Sequence, residues 1–249
     1  MQLRESIALV LDVVDLGEKD RIVTWLTPEL GRKRGVAKSA RTKFSRFAGQ
    51  LQPLAKIDVR WAEKPGRELV RIRDVSLLRP VSGLDDLEGL LLGAYLAEHF
   101  SQFAQEDDPS EPLFRLLDST LLALADGVPR SLAARYVEVW VLRLQGLLPA
   151  PIECPLCGRP LGDAAAFLED EGAIVCPDCA EGYRSIPIQG APLDFLRRSG
   201  RENLESLRAR PPSAAALRRV EELTRRVRRQ FLESELRSYR VMRETLSDF

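Results

Sequence analysis

The sequence predicts an α+β protein: an N-terminal five-stranded β-barrel, followed by a helical bundle with an inserted four-cysteine zinc module. Three observations lead there. Residues up to about 79 form short apolar stretches separated by turn chemistry, apolar residues beyond Gly83 recur every three to four positions, and all four cysteines lie in one segment. The expected organisation is a barrel over 1–80, a first helical part over 81–149, the zinc module over 150–183 and a C-terminal helical part over 184–249.

The strands come first. Ile7 to Val14 is β-branched and apolar, Gly17-Glu18-Lys19-Asp20 is a turn, and Arg21 to Thr27 alternates through Ile22, Val23, Trp25 and Leu26. Pro28-Glu29-Leu30-Gly31 turns the chain into Arg32 to Ala37. After a loop, Leu54 to Ala62 and Glu68 to Leu78 flank the hairpin signal Lys64-Pro65-Gly66. Five short strands with no long edge fit a small closed barrel, because closure removes the unpaired edges of an open sheet.

The period then changes. Leu84, Leu87, Leu90, Leu91, Ala94 and Tyr95 predict an amphipathic helix, and Leu113 to Ala125 and Leu132 to Leu148 predict two more. Asp85-Asp86 fits a helix start and Glu106-Asp107-Asp108 a loop. A last long helix is expected from Pro212 to about Leu246, with Ser213 as its N-cap and Leu217, Val220, Leu223, Val227, Phe231 and Leu236 on one side.

Composition narrows the class. With 249 residues, 45% hydrophobic and 30% charged, the chain can bury one large or two small cores. No apolar run approaches the ~20 residues of a membrane helix, and Asp12 and Asp15 interrupt the first one, so no secretory signal is expected. A cytoplasmic protein follows as the expectation. The zero net charge hides a segregation: residues 1–80 carry 17 Lys and Arg against 10 Asp and Glu, whereas residues 81–126 carry 1 against 10. Such blocks suit different partners on different faces, a polyanion for the basic ends, or else they neutralise each other on folding.

The cysteines read as Cys154-Pro155-Leu156-Cys157 and Cys176-Pro177-Asp178-Cys179. This spacing suits a four-thiolate Zn²⁺ site, and a closed shell of four sulfurs leaves no position for catalysis, so the ion is structural. With Arg159 as its single base, the acidic module 150–183 is a poor phosphate binder. Its expected role is to staple the helices that flank it.

No acid falls between Glu29 and Asp58, while Arg32, Lys33, Arg34, Lys38, Arg41, Lys43, Arg46 and Lys56 do. Phe44 and Phe47 are interleaved with the cations, a combination in which basic side chains track phosphates and aromatic faces accept bases. Arg32, Lys33, Arg34, Lys38, Arg41, Lys43, Phe44 and Arg46 are therefore the candidate nucleic-acid-binding residues. Phe47 suits a core anchor, whereas Phe44 serves equally as platform or anchor. The later stripe Arg218, Arg219, Arg225, Arg226, Arg228 and Arg229 is interleaved with Glu221, Glu222, Glu233 and Glu235, as on a solvated helix face or a second contact surface.

Little supports bond-breaking chemistry. There is no Gly-rich phosphate loop, no G-x-S-x-G elbow, and one histidine, His99, set in an apolar helix as a core residue. The expectation is a protein that is not an enzyme.

Specific stretches carry a resemblance: Gly17-Glu18-Lys19-Asp20-Arg21-Ile22-Val23, Leu26-Thr27 through Gly31, Gly35-Val36-Ala37-Lys38, Ser45-Arg46-Phe47-Ala48-Gly49-Gln50-Leu51-Gln52-Pro53, Glu153-Cys154-Pro155-Leu156-Cys157-Gly158 and Cys176-Pro177-Asp178-Cys179. In this order and spacing, over nearly the whole length, the chain resembles the bacterial recombination mediator family RecO. The resemblance implies an OB barrel that binds single- and double-stranded DNA, and a helical domain with an inserted zinc module. It also implies annealing of complementary strands, loading of the recombinase onto strands coated by single-strand-binding protein, action with RecR, and a place at the nucleoid. Two departures stand out. The loops Asp15 to Asp20 and Glu63 to Arg67 are short for an OB groove, which shifts the expected contact to Arg32–Arg46, and Glu171-Gly172 replaces a common Gly-Gly before the second knuckle. The alternatives are a zinc-ribbon RNA- or ribosome-associated binding protein and a metal-dependent nuclease using the acidic clusters.

Overall fold

The computed structural model describes residues 2–64, 66 and 68–246; Pro65 and Arg67 of the expected hairpin turn lie outside the described residues. The chain divides into two compact units, Met1–Ala125 with Leu236–Phe249, and Asp126–Glu235.

In the first unit five strands, β1 (Gln2–Leu16), β2 (Asp20–Thr27), β3 (Gly31–Ala37), β4 (Lys56–Glu63) and β5 (Val70–Arg79), close into a barrel in the order β1-β2-β3-β5-β4. β1 pairs antiparallel with both β2 and β4, and a short parallel contact between β3 and β5 seals the seam. This is the OB-type arrangement. At the seam Gly35 lies opposite Val70, and any Cβ there would approach both the Trp25 ring and a Val70 methyl to 2.9 Å, so closure needs glycine.

Strand alternation builds the interior. Val23 and Trp25 from β2, Ile57, Val59 and Trp61 from β4, and Val70 and Ile72 from β5 all point inward. The two indole rings meet edge to face with centroids 5.7 Å apart. A bulge at Arg60/Trp61 shifts the phase of β5, which is why Val75 is buried three residues after Ile72. A second bulge between Val10 and Asp12 does the same for Val13 on β1.

Helices α1 (Leu87–Phe103) and α2 (Glu111–Ala125) complete this unit together with α8 (Arg237–Thr245). Asp86 caps α1 by accepting from Gly89 N at 2.8 Å. His99 is buried, its Nδ1 3.2 Å from the Tyr95 hydroxyl, so it is a core residue as its apolar setting suggests. α8 packs on α1: Tyr95 and Tyr239 have ring centroids 5.6 Å apart, and the Glu98 carboxylate accepts from the backbone of Arg237 and Ser238 at the start of α8. The expected single C-terminal helix is two, because Glu233 adopts a left-handed conformation (φ 56°) and ends the first of them.

The second unit holds α3 (Arg130–Leu144), the strands β6 (Ala164–Leu168), β7 (Ala173–Val175) and β8 (Ser185–Gln189) in a sheet of order β7-β6-β8, and α4 (Pro177–Ala180), α5 (Ala191–Arg198), α6 (Leu204–Ala209) and α7 (Ala214–Leu232). Ser213 caps α7, accepting from Ala216 N at 3.2 Å. Between α3 and α7 lies a buried ionic network: Arg135 reaches Glu138 at 2.8 Å and Glu221 at 2.9 Å, and Thr224 donates to the other oxygen of Glu138 at 2.6 Å. Charges this deep persist because the guanidinium is paired with a carboxylate on each side. No helix among the described residues is long and apolar enough to cross a membrane.

Candidate nucleic-acid interface and metal centre

The basic run divides along β3 by strand parity. Lys33 shares its parity with Gly35 and Ala37 and is 4% exposed; Arg34 points outward. The Lys33 ammonium bonds the Asp107 carboxylate and lies 3.4 Å from Glu63. Arg32 donates from its guanidinium to Ser101 O at 2.5 Å and from its backbone to Gln105 O at 2.9 Å. The segment 105–108 thus seats on the β2–β3 turn. Gly31 (φ 59°) permits it, since any Cβ would collide with the carbonyls of Asp108 and Gln105. The absence of acids in the local sequence is therefore made good by acids from elsewhere in the fold. Asp118 likewise takes Lys56 at 2.8 Å and bonds Arg79.

The remaining members lie on or after β3, leading into the loop between Lys38 and Ala55. Lys38 pairs with Asp20 at 2.6 Å, and Arg41 pairs with Asp15 at 3.2 Å while donating to Gly17 O at 2.6 Å. The Lys38 hydrogen bond, with the backbone N–H of Ser39, holds the Asp20 carboxyl below its ordinary range. These bonds fasten the start of the loop to the β1–β2 turn. Its other end is anchored by Phe47, 2% exposed among the barrel side chains, and by Leu51. Phe44 between these anchors is 93% exposed, with the Lys43 ammonium 5.8 Å from its ring centroid. Arg34, Lys43 and Arg46 form no ion pair among the described residues. An aromatic face in water beside an unpaired cation can accept an unstacked base and its phosphate.

The arginine stripe of α7 is largely engaged. Arg228 is buried and bonds Glu235 at 2.9 Å, Arg225 meets the same carboxylate at 2.7 Å, Arg226 meets Glu169 at 2.6 Å and Arg219 meets Glu222 at 2.8 Å.

The four cysteines converge. Cys154 and Cys157 lie on a tight turn closed by Gly158 N to Cys154 O at 2.8 Å, and Cys176 leads from β7 into α4, which carries Cys179. None is in a disulfide, and the four sulfurs lie within 4.8 Å of one another. Cys157 and Cys176 Sγ are 3.8 Å apart, the edge of a tetrahedron whose metal–sulfur bonds are about 2.3 Å. The cluster could hold a metal ion. Burial raises the Cys154 thiol, but backbone N–H groups of Cys176, Cys157 and Leu156 outweigh it and bring the value to about 6. The Arg159 guanidinium lowers Cys157, and neighbouring sulfurs push Cys179 up to about 12. Bonds from Arg197 to the carbonyls of Pro151, Leu161 and Gly162 tie this module to α5, and Gln230 to Glu169 O ties it to α7.

What sequence reasoning missed is internal: the Lys33–Asp107 pair, the Arg32 anchor and the sheet β7-β6-β8. The signal for Lys33 was available in its parity with Gly35 and Ala37.

Comparison with known proteins agrees with this architecture. The family described as Recombination protein O N terminal matches residues 1–81, and Recombination protein O C terminal matches residues 84–240. The DNA repair protein RecO of Anaeromyxobacter sp. (strain K) is 35% identical over 217 residues, covering 86% of this chain and 85% of that protein. The DNA repair protein RecO of Myxococcus xanthus (strain DK1622) is 34% identical over 201 residues, 79% of this chain and 81% of that one. Its counterpart in Geobacter metallireducens is 33% identical over 195 residues, 78% and 79% of the two chains. With both halves matched and relatives this similar over most of their length, the chain belongs to the Recombination protein O (RecO) family.

Proposed function

We propose that this protein acts in DNA repair and recombination as a mediator that is not an enzyme: it binds single- and double-stranded DNA and anneals complementary strands. With RecR, it helps load the recombinase onto strands coated by single-strand-binding protein. The observation that carries the reading is Phe44, exposed beside Lys43 on a loop that also carries Arg46 and is pinned by the buried Phe47. Its relatives bear the name DNA repair protein RecO, which gives the reading its biological setting.

The barrel of residues 1–80 is the proposed DNA-binding part. Arg34, Lys38, Arg41, Lys43 and Arg46 would meet phosphates and Phe44 a base, while Arg32 and Lys33 hold the segment 105–108 in place. Two complementary strands repel each other; cations that neutralise phosphates release counterions and lower that barrier, and base edges stay free to pair. The cysteine cluster would hold one Zn²⁺ through Cys154, Cys157, Cys176 and Cys179, where the ion supplies folding energy rather than chemistry.

The test is annealing of complementary strands precoated with the cognate single-strand-binding protein, with and without RecR. Acceleration by the protein, enhanced by RecR, supports the reading; no acceleration on bare or coated strands overturns it. Tighter binding to matched RNA than to DNA would favour the zinc-ribbon RNA-binding alternative instead.

A further inference from the structure

Segment 150–183 carries seven acids and one base, Arg159, and that base sits against the sulfurs. Its Nε lies 3.4 Å from Cys157 Sγ, and its Nη2 lies 3.6 Å from Cys176 Sγ and 2.7 Å from Asp178 Oδ2. One guanidinium therefore bridges a cysteine from each C-x2-C pair, and is itself held by a carboxylate placed between the two cysteines of the second pair. The backbone fixes the approach: Cys154 N donates to Arg159 O at 2.8 Å, so the arginine follows its knuckle turn directly.

We propose that Arg159 is a positioning residue of the metal centre, clamping the two knuckles together and damping the reactivity of Cys157 and Cys176. This rests on the reading of the cluster as a zinc site. Four thiolates around a divalent cation carry a net charge of −2, in a segment already acidic. An N–H donated to a metal-bound sulfur draws on a lone pair that would otherwise face an electrophile or a proton, and the positive charge opposes the surplus. Arg, with its planar fork, can serve two sulfurs and a carboxylate together; Lys offers a point charge and cannot span them.

The experiment compares the full-length protein with Arg159→Ala, Arg159→Lys and Asp178→Asn, each loaded with Zn²⁺ and separately with Co²⁺. Arg159→Ala should still bind one ion per chain, yet lose it to a chromogenic chelator about tenfold faster or more. Its sulfur-to-cobalt charge-transfer band should move to lower energy, because a sulfur relieved of its hydrogen bond is a better donor. Arg159→Lys should fall between, and Asp178→Asn should shift both readouts the same way by less. The band reports on sulfur electronics, which a purely structural role would not move. Wild-type release rate and band position in a folded, loaded Arg159→Ala protein overturn the proposal. Should that variant not fold, unchanged rates and bands in both other variants overturn it instead. A wild-type chain that binds neither ion overturns the metal reading itself, and this proposal with it, an outcome visible before any variant is made.

Discussion

Lys33 on β3 bonds Asp107, a residue reached only after the barrel is complete and α1 has been traversed, and it does so while almost wholly buried. A cation in this position stabilises the fold and cannot reach a phosphate. Lys33→Ala should cost about 1–3 kcal/mol, since it takes the buried partner from Asp107 and one of two cations from Glu63, which keeps Arg4 at 3.5 Å, while the salt dependence of DNA binding stays unchanged. Denaturant titration and salt-dependent affinity measurements check the two halves; a flattened salt slope at full stability contradicts the assignment.

The exposed side of the same run should behave in the opposite way. Replacing Arg34, Lys43 and Arg46 together by Ala should flatten the plot of log affinity against log salt by about 2 on single strands, near 0.7 for each lost contact. Stability should hardly change, for none of the three forms an ion pair among the described residues. Phe44→Ala should lower affinity by about 1–3 kcal/mol with the slope intact, because stacking releases no counterions. Lys38 and Arg41 should contribute less than their charge suggests, each being shared with Asp20 or Asp15.

The cysteine cluster makes a third prediction. Cys154→Ser or Cys176→Ser should lower bound zinc, measured by elemental analysis, and reduce the melting temperature, because an unliganded site forfeits the folding energy of the ion. Full metal content in either variant would remove the assignment.

Acid should loosen the end of α7. Burial raises the Glu235 carboxyl, but the hydrogen bonds from Arg225 and Arg228 prevail and leave it below its ordinary range near 4.5. A depressed carboxylate contributes stability that is complete above its unfolded value and lost as the pH falls through the folded one. Glu235→Gln should therefore cost stability at neutral pH and make the loss on acidification below about pH 4.5 shallower. Melting curves across that range check the sign; an unaltered acid dependence would count against the Arg225 and Arg228 bonds.

Much of this was legible in the sequence because it is local. The alternation through Val23 and Trp25 and the period through Leu90 and Ala94 report the face an element buries, and the cysteine spacing reports the convergence of four sulfurs. The family resemblance likewise rested on short ordered motifs. Pairings across the fold were not legible. A run free of acids from Glu29 to Asp58 looks uncompensated, yet Asp15, Asp20, Asp107 and Asp118 come to it from other elements. The break at Glu233 was hidden for a related reason, since apolar spacing continues through Phe231 and Leu236 while the backbone turns left-handed between them.

The return of α8 to α1 has a consequence for the order of synthesis. A ribosome delivers residues 126–235 before Tyr239 and Met242, although these two are buried in the unit that begins the chain. The side of α1 around Tyr95 therefore waits uncovered through the synthesis of an entire second unit, and Glu98 has nothing to cap. The barrel can close early, since its strands are consecutive, but the half that carries it reaches its final packing last.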